Sequence, residues 1–454
     1  MQRGEQGVAV SINEAARSTA RGNKNLIEHD ANHAGVYASL QGFTTYTRPY
    51  NFIVNETMMV SKPRSQNTSS PEKSAGQAAL DKQSIVFVLQ GGGALGAYQA
   101  GVYEELASSD YVPDWIAGVS IGAINAALIA GNLPERRVER LREFWHRVSS
   151  GMLLPQPITP PSRTAFNWFS SRLSLFGLNG FYQMRPIFDF IAPPGFPTAL
   201  GVYDTAPLRK TLLELVDFEL INKRPVRLSV GVVDVLTGNS VYFDNHQCEI
   251  KPEHIMASGA LPPAFAPVVI DGVPYWDGGI VSNTPLHYVL DHRQDKDRMV
   301  LQVDLFSARG EMPTDMLSAM ARHKNIMYSS RTRYGSSMLT QLQSLKHSID
   351  NVVKHLPAEL QDHPAVMELK KHAEPQRIDL VQLVYRPTVR ALPSADYEFS
   401  RASVLERWRI GAADIRFCID NPDWLYKSAS DAEAGVNVYD LRNPDPTRKH
   451  RSEG

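Results

Sequence analysis

Two glycine-framed turns constrain the fold of this chain more than any other feature. They are Gly91-Gly92-Gly93-Ala94-Leu95-Gly96 and Gly118-Val119-Ser120-Ile121-Gly122. Each follows a short apolar run and precedes a stretch of helix composition. Ile85-Val86-Phe87-Val88-Leu89 is apolar throughout, the pattern of a strand buried on both faces. Beyond it, Leu95, Tyr98, Val102 and Leu106 recur at helical spacing. Trp115–Val119 reads as the next strand, and Ile121–Ala130 as an Ala/Ile-rich helix that Gly131-Asn132 closes in C-cap style. A β-α-β-α order predicts a parallel sheet covered by helices.

The same reading continues along the chain. Arg227–Val235 and Ser240–Asp244 are expected as hairpin strands, and Glu253–Gly259 as a short helix. Asp271-Gly272 is a turn signal between Val268–Ile270 and Val273–Trp276. Met299–Phe306 reads as a core strand, 314 to 353 as mostly helix, Leu380–Tyr385 as a late strand, and 402–419 as an amphipathic helix.

The chain has 454 residues, of which 43% are hydrophobic and 21% charged, so a sizeable α/β core is possible. Net charge is −1, which gives no argument for a nucleic-acid partner. The two cysteines, Cys248 and Cys418, share no short motif, which excludes a disulfide framework and a cysteine zinc site. Both are expected as small buried hydrophobes in a reducing compartment. No apolar run reaches the roughly 18 residues of a membrane span. A cytoplasmic protein is expected, with peripheral membrane contact left open.

Residues 1–83 are polar and lack a sustained period, and Ser61–Ala79 has linker composition. Met58 and Met59, just before that linker, are an alternative start. The expected catalytic domain is 84–310. Within it, 151–201 is a proline-rich insert carrying Phe166, Trp168, Phe169, Phe176, Phe181 and Tyr182. It reads either as a cap over an acyl site or as a subdomain with its own aromatic core. Residues 311–454 are expected as a mainly helical extension packed on that domain.

The second turn has the form of a nucleophile elbow. Small residues flank a serine on a sharp strand-to-helix turn, and the following helix points its positive end at the hydroxyl. The plain alternative is a β-α turn with a serine N-cap. The first turn also fits the G-x-G-x-x-G of a dinucleotide site. That site needs a carboxylate at the far end of the next strand, whereas Asp110 and Asp114 precede it. Bare N–H groups from Gly91, Gly92 and Gly93 suit an oxyanion instead. No histidine stands in an obvious catalytic context; His246, His254 and His287 read as structural or surface residues. A carboxylate does stand out, in Asp277-Gly278-Gly279.

Gly-Gly-Gly-x-x-Gly, Gly-x-Ser-x-Gly and Asp-Gly-Gly, in that order, resemble the patatin-like phospholipases. The phrase Ala257-Ser258-Gly259-Ala260-Leu261-Pro262 upstream of the aspartate fits as well. The resemblance covers about 84–310 and implies a three-layer α/β/α sandwich with a mainly parallel central sheet. It implies a Ser–Asp dyad of Ser120 as nucleophile and Asp277 as base, and an oxyanion hole at Gly91, Gly92 and Gly93. Gly96, Gly118, Gly122, Gly278 and Gly279 complete the motifs. Neither cofactor nor metal is implied, and the substrate is a lipid or another acyl ester. The family often has Arg or Lys where this chain has Leu95. An aspartate titrates near about 3.9 in water, so burial beside Tyr275 and Trp276 is expected to raise it.

Three functions follow. The first is lipid acyl-ester hydrolysis of phospholipase A or lysophospholipase type. The second is the same dyad acting on an intracellular polyester or an acyl thioester. The third is a non-catalytic nucleotide-binding adaptor. Arg322, His323, Lys324, Arg331 and Arg333 form a basic run on the long helix; such runs contact lipid head groups or pair with acidic neighbours.

Overall fold

A computed structural model describes residues 83–149, 170, 174–186, 200–292, 297–373, 378–387, 394–420 and 436–440. The polar stretch before Gln83 lies outside the described residues. So do Phe166, Trp168, Phe169 and, of the insert's prolines, Pro155, Pro157, Pro160, Pro161, Pro193, Pro194 and Pro197, and the side chains of Arg331 and Arg333.

In chain order the elements are β1 (Ser84–Leu89), α1 (Ala97–Leu106), β2 (Trp115–Val119), α2 (Ile121–Ala130) and α3 (Pro134–Val148). The small strands β3 (Gly177–Leu178), β4 (Tyr182–Met184) and β5 (Tyr203–Asp204) follow, then α4 (Ala206–Leu215) and α5 (Phe218–Asn222). Next come β6 (Arg227–Asp234), β7 (Ser240–Asp244), α6 (Pro252–Ser258), β8 (Val268–Ile270), β9 (Val273–Asp277) and α7 (Leu286–Asp291). The chain continues with β10 (Arg298–Asp304), α8 (Met316–Lys354), α9 (Pro364–Ala373), β11 (Ile378–Val384), α10 (Arg401–Asp420) and β12 (Val436–Asp440).

Among the described residues the central sheet has nine strands in the order β12-β11-β10-β1-β2-β6-β9-β8, with β7 also on β6. Pairing is parallel from β12 to β6 and antiparallel for β7, β8 and β9. The period of two explains why β1 is apolar throughout. Phe87 and Leu89 pack with α1 and α2, while Val86 and Val88 pack with Leu286 and Val289 of α7. Helices thus cover both faces, which is the three-layer arrangement expected. Burying each such side chain is worth roughly 1.5–3 kcal/mol.

The sheet runs across position 310, because β11 and β12 extend it beyond β10. The late helix α10 is fitted just as closely. A Cβ on Gly101 of α1 would lie 1.9 Å from the Trp408 carbonyl oxygen, and one on Gly411 would lie 2.1 Å from that of Tyr98. Only glycine at both positions lets α1 and α10 approach so closely, and the Tyr98 hydroxyl donates to Asp414 at 3.0 Å across the contact.

Two local details differ from the sequence reading. Gly93–Gly96 forms a 3-10 turn ahead of α1, since Gly93 sits at φ +53 and the Leu95 N–H closes onto Gly92 O at 3.1 Å. Gly131 ends α2 at φ −91 rather than in a left-handed cap. Asn132 does that work: its side-chain amide donates to Leu128 O at 2.9 Å and Leu215 O at 2.8 Å.

Candidate active site

The elbow is made by close packing on both sides of Ser120. A Cβ on Gly118 would lie 2.4 Å from Gly122 O, and one on Gly122 would lie 2.4 Å from Leu89 O. Both obstacles are backbone atoms, so the turn requires glycine at each end. Ser120 itself adopts φ 56 and ψ −126. A non-glycine residue held there stores about 1–3 kcal/mol of strain. Its N–H donates to Ser258 Oγ at 2.9 Å, and Ser258 Oγ donates to Gly231 O at 2.7 Å, which fastens the turn to β6. The Ser120 side chain makes no cap bond to α2, so the N-cap alternative does not hold. Its hydroxyl lies close enough to the Asp277 carboxylate to lower that group's pKa.

Strand register brings these two residues together. Val119 of β2 pairs with Gly231 of β6, and Asp277 of β9 pairs with the next residue, Val232. Because β7 occupies the other edge of β6, β2 and β9 share one edge end to end. Asp277 therefore arrives beside the residue that follows β2, which is Ser120. A Cβ on Gly278 would lie 2.6 Å from Gly231 O, so Asp-Gly-Gly is set by this approach.

Asp277 is 3% exposed. Burial pushes its carboxyl up to about 7, against the lowering effect of hydrogen bonds from Ser120 and the Gly279 N–H. The Gly279 N–H lies 2.7 Å from Oδ1. By the alternation of a strand, Trp276 and Asp277 of β9 point to opposite faces. No histidine hydrogen-bonds Ser120 or Asp277 among the described residues. His254 accepts the Lys251 N–H at 2.8 Å, and His287 meets Ser282 Oγ at 3.4 Å.

The glycine loop faces the elbow: a Cβ on Gly91 would lie 3.0 Å from Ser120 Cβ and 2.4 Å from Asn283 Oδ1. The Gly91 N–H donates to Asn283 O at 3.0 Å, and Asn283 Nδ2 donates back to Gly91 O at 2.9 Å. Gly91, expected among the oxyanion donors, therefore has its N–H already engaged. Gly92 and Gly93 are partly exposed, and their N–H groups make no hydrogen bond among the described residues. Both peptides are held from behind, through Gly91 O by Asn283 and through Gly92 O by the Leu95 N–H. Gly96 sits where a Cβ would come 2.6 Å from Ile121, allowing α2 to pack against the loop.

Asp114 accepts from Ser84 Oγ at 2.7 Å, at the end of β1 remote from the glycine loop, where no bound ribose would reach it. Of the basic run, Arg322 donates to Ser307 O and Ala308 O, and Lys324 pairs with Asp396 at 2.8 Å. Of the insert, Tyr182 packs on Tyr203 and Phe265 with ring centroids 4.7 and 5.4 Å away, while Phe176 is 72% exposed. Among the described residues no helix is long and apolar enough to cross a membrane. Sequence reasoning missed Asn283 and gave Ser258 no role. Only Ser258 carried a signal, in the phrase before the aspartate.

Residues 87–290 match the family described as Patatin-like phospholipase, and residues 326–431 match one described as Patatin phospholipase. The chain belongs to the patatin-like phospholipase family and is a lipid acyl hydrolase. A Bacillus subtilis (strain 168) protein called "Uncharacterized protein YqhO" is 27% identical over 231 residues, 50% of this chain and 72% of the relative. The crystal structure of VipD from Legionella pneumophila is similar at TM-score 0.34 and 14% identity, over 75% of this chain and 67% of that one. The heterodimeric ExoU–SpcU complex of the type III secretion system of Pseudomonas aeruginosa gives TM-score 0.20 and 11% identity, over 75% and 77%. Family membership rests on the two matched segments and not on these distant likenesses.

Proposed function

We propose that the chain cleaves acyl ester bonds of lipids, in the manner of a phospholipase A or lysophospholipase, through a Ser120–Asp277 dyad. The observation that carries this reading is that strand register sets Ser120 beside a buried carboxylate, Asp277, whose pKa is raised to about 7. A base with that value takes a proton near neutral pH far better than an exposed aspartate does. Ser120 Oγ attacks the ester carbonyl while Asp277 takes its proton. The oxygen that becomes negative is received by the N–H groups of Gly92 and Gly93 and by the positive end of α2. The intermediate collapses to an ester on Ser120, and Asp277 passes the proton to the departing alkoxide. Water then attacks the acyl-enzyme with Asp277 again as base, releasing the fatty acid and restoring Ser120.

A panel of phospholipid, lysophospholipid, triglyceride, acyl thioester and hydroxybutyrate oligomers tests this. The expected result is fatty-acid release from phospholipid or lysophospholipid by the native chain and none by Ser120→Ala. Turnover confined to thioester or polyester would overturn the lipid assignment.

A further inference from the structure

The glycine loop is also gripped from the C-terminal region. Arg407 of α10 donates through Nη1 to Ala94 O at 3.2 Å and to Glu398 O at 2.8 Å, and through Nη2 to Ala395 O at 2.9 Å. Its side chain is 7% exposed and lies 3.5 Å from the Glu398 carboxylate. Glu398 in turn accepts from Ser170 Oγ at 2.7 Å and the Ser400 N–H at 3.0 Å. The same segment packs on the loop, since a Cβ on Gly93 would lie 2.2 Å from the Asp396 carbonyl oxygen.

The bond to Ala94 O has a consequence two peptides away. Ala94 C=O and Leu95 N–H belong to one peptide unit. The Leu95 N–H donates to Gly92 O. Gly92 C=O and Gly93 N–H belong to the next unit. Arg407 thus stands at the head of a chain of aligned amide dipoles that ends at the Gly93 N–H. Hydrogen bonds in series polarise one another, and a cation at the head strengthens the terminal donor. The path is buried at Ala94 and Leu95, where solvent screens it least.

We infer that Arg407 is a positioning residue for ester hydrolysis: it fixes the Gly92–Leu95 turn and sharpens the Gly93 N–H as an oxyanion donor. The inference rests on the reading of Gly93 as such a donor. It assigns the region beyond 310 a part in the chemistry and supplies, from α10, a cation to a loop whose own sequence has Leu95.

The test uses the full chain and a soluble ester that accumulates as acyl-enzyme on Ser120. Arg407→Gln with Glu398→Gln removes the donor to Ala94 O and leaves neither charge buried without its partner. The expected result is a kcat lowered about tenfold with KM within about twofold, less than the roughly 10²–10³-fold cost of deleting an oxyanion donor outright. The infrared stretch of the acyl-enzyme carbonyl should rise, because the carbonyl is less polarised. Unchanged kcat and stretch in the folded double variant, even with a lower melting temperature, overturn the inference and leave Arg407 a structural role. Should the double variant not fold, Arg407→Lys carries the test. It keeps the charge beside Glu398, is too short to hold Ala94 O, and is expected to raise the stretch; an unchanged stretch overturns the inference. A native chain that forms no acyl-enzyme on Ser120 removes the underlying reading instead, whatever the variants do.

Discussion

Asn283 and Gly91 exchange two hydrogen bonds, Gly91 N–H to Asn283 O at 3.0 Å and Asn283 Nδ2 to Gly91 O at 2.9 Å. Asn283 lies six residues beyond Asp277, so one short segment carries the proposed base and holds the glycine loop. The second bond orients the peptide whose N–H belongs to Gly92. Asn283→Ala is expected to lower kcat by about 10- to 100-fold with little change in KM, because the donor matters most once the oxyanion has formed. Steady-state kinetics on a soluble ester checks this; an equal rise in KM with kcat intact would assign Asn283 to substrate binding.

The raised carboxyl of Asp277 sets the pH profile. Its value of about 7 means the base is half ionised near neutrality. The kcat/KM of the free enzyme is expected to rise with pH through a single step near 7 and then level. A profile already flat from pH 5 would show that the carboxylate is ionised well below that value.

The same shift makes a stability prediction of definite sign. The Asp277 carboxyl goes from its ordinary 3.8 to about 7 on folding, so the native state binds the extra proton between these values. Stability from this group is full below pH 3.8 and is lost as pH rises through about 7. Asp277→Asn removes the buried charge. It is expected to abolish turnover yet melt above the native chain at pH 8, with the advantage shrinking toward pH 4. A melting difference independent of pH contradicts the shift.

Strain at Ser120 gives a further expectation. With φ 56, glycine fits the position better than alanine. Ser120→Gly and Ser120→Ala should both be inactive, with the glycine variant more stable by about 1 kcal/mol, the strain relieved less the entropy of the unfolded glycine. Denaturant melts compare them; equal midpoints would mean the turn is not strained.

Much of the fold was legible because its signals are local. The uninterrupted apolar run 85–89 marks a strand covered on both faces, and Asp271-Gly272 turns at φ 50 and 83, as its residue types require. The proposed serine and aspartate stand in short motifs whose glycines answer backbone contacts. The supporting residues were not legible. Asn283 and Ser258 make their hydrogen bonds across the fold, as does Arg407 to Ala94 O, and an isolated Asn, Ser or Arg has no periodicity that marks it. The bond that engages the Gly91 N–H was not legible for the same reason, since its partner is 192 positions away in the chain.

The most direct test of the central claim is to label the native chain with a fluorophosphonate and map the adduct by peptide mass spectrometry. A single adduct at Ser120, formed faster as pH rises through about 7 and absent from Asp277→Asn, is the result expected from the buried carboxylate. No adduct, an adduct elsewhere, or labelling of Ser120 undiminished in Asp277→Asn would contradict the dyad.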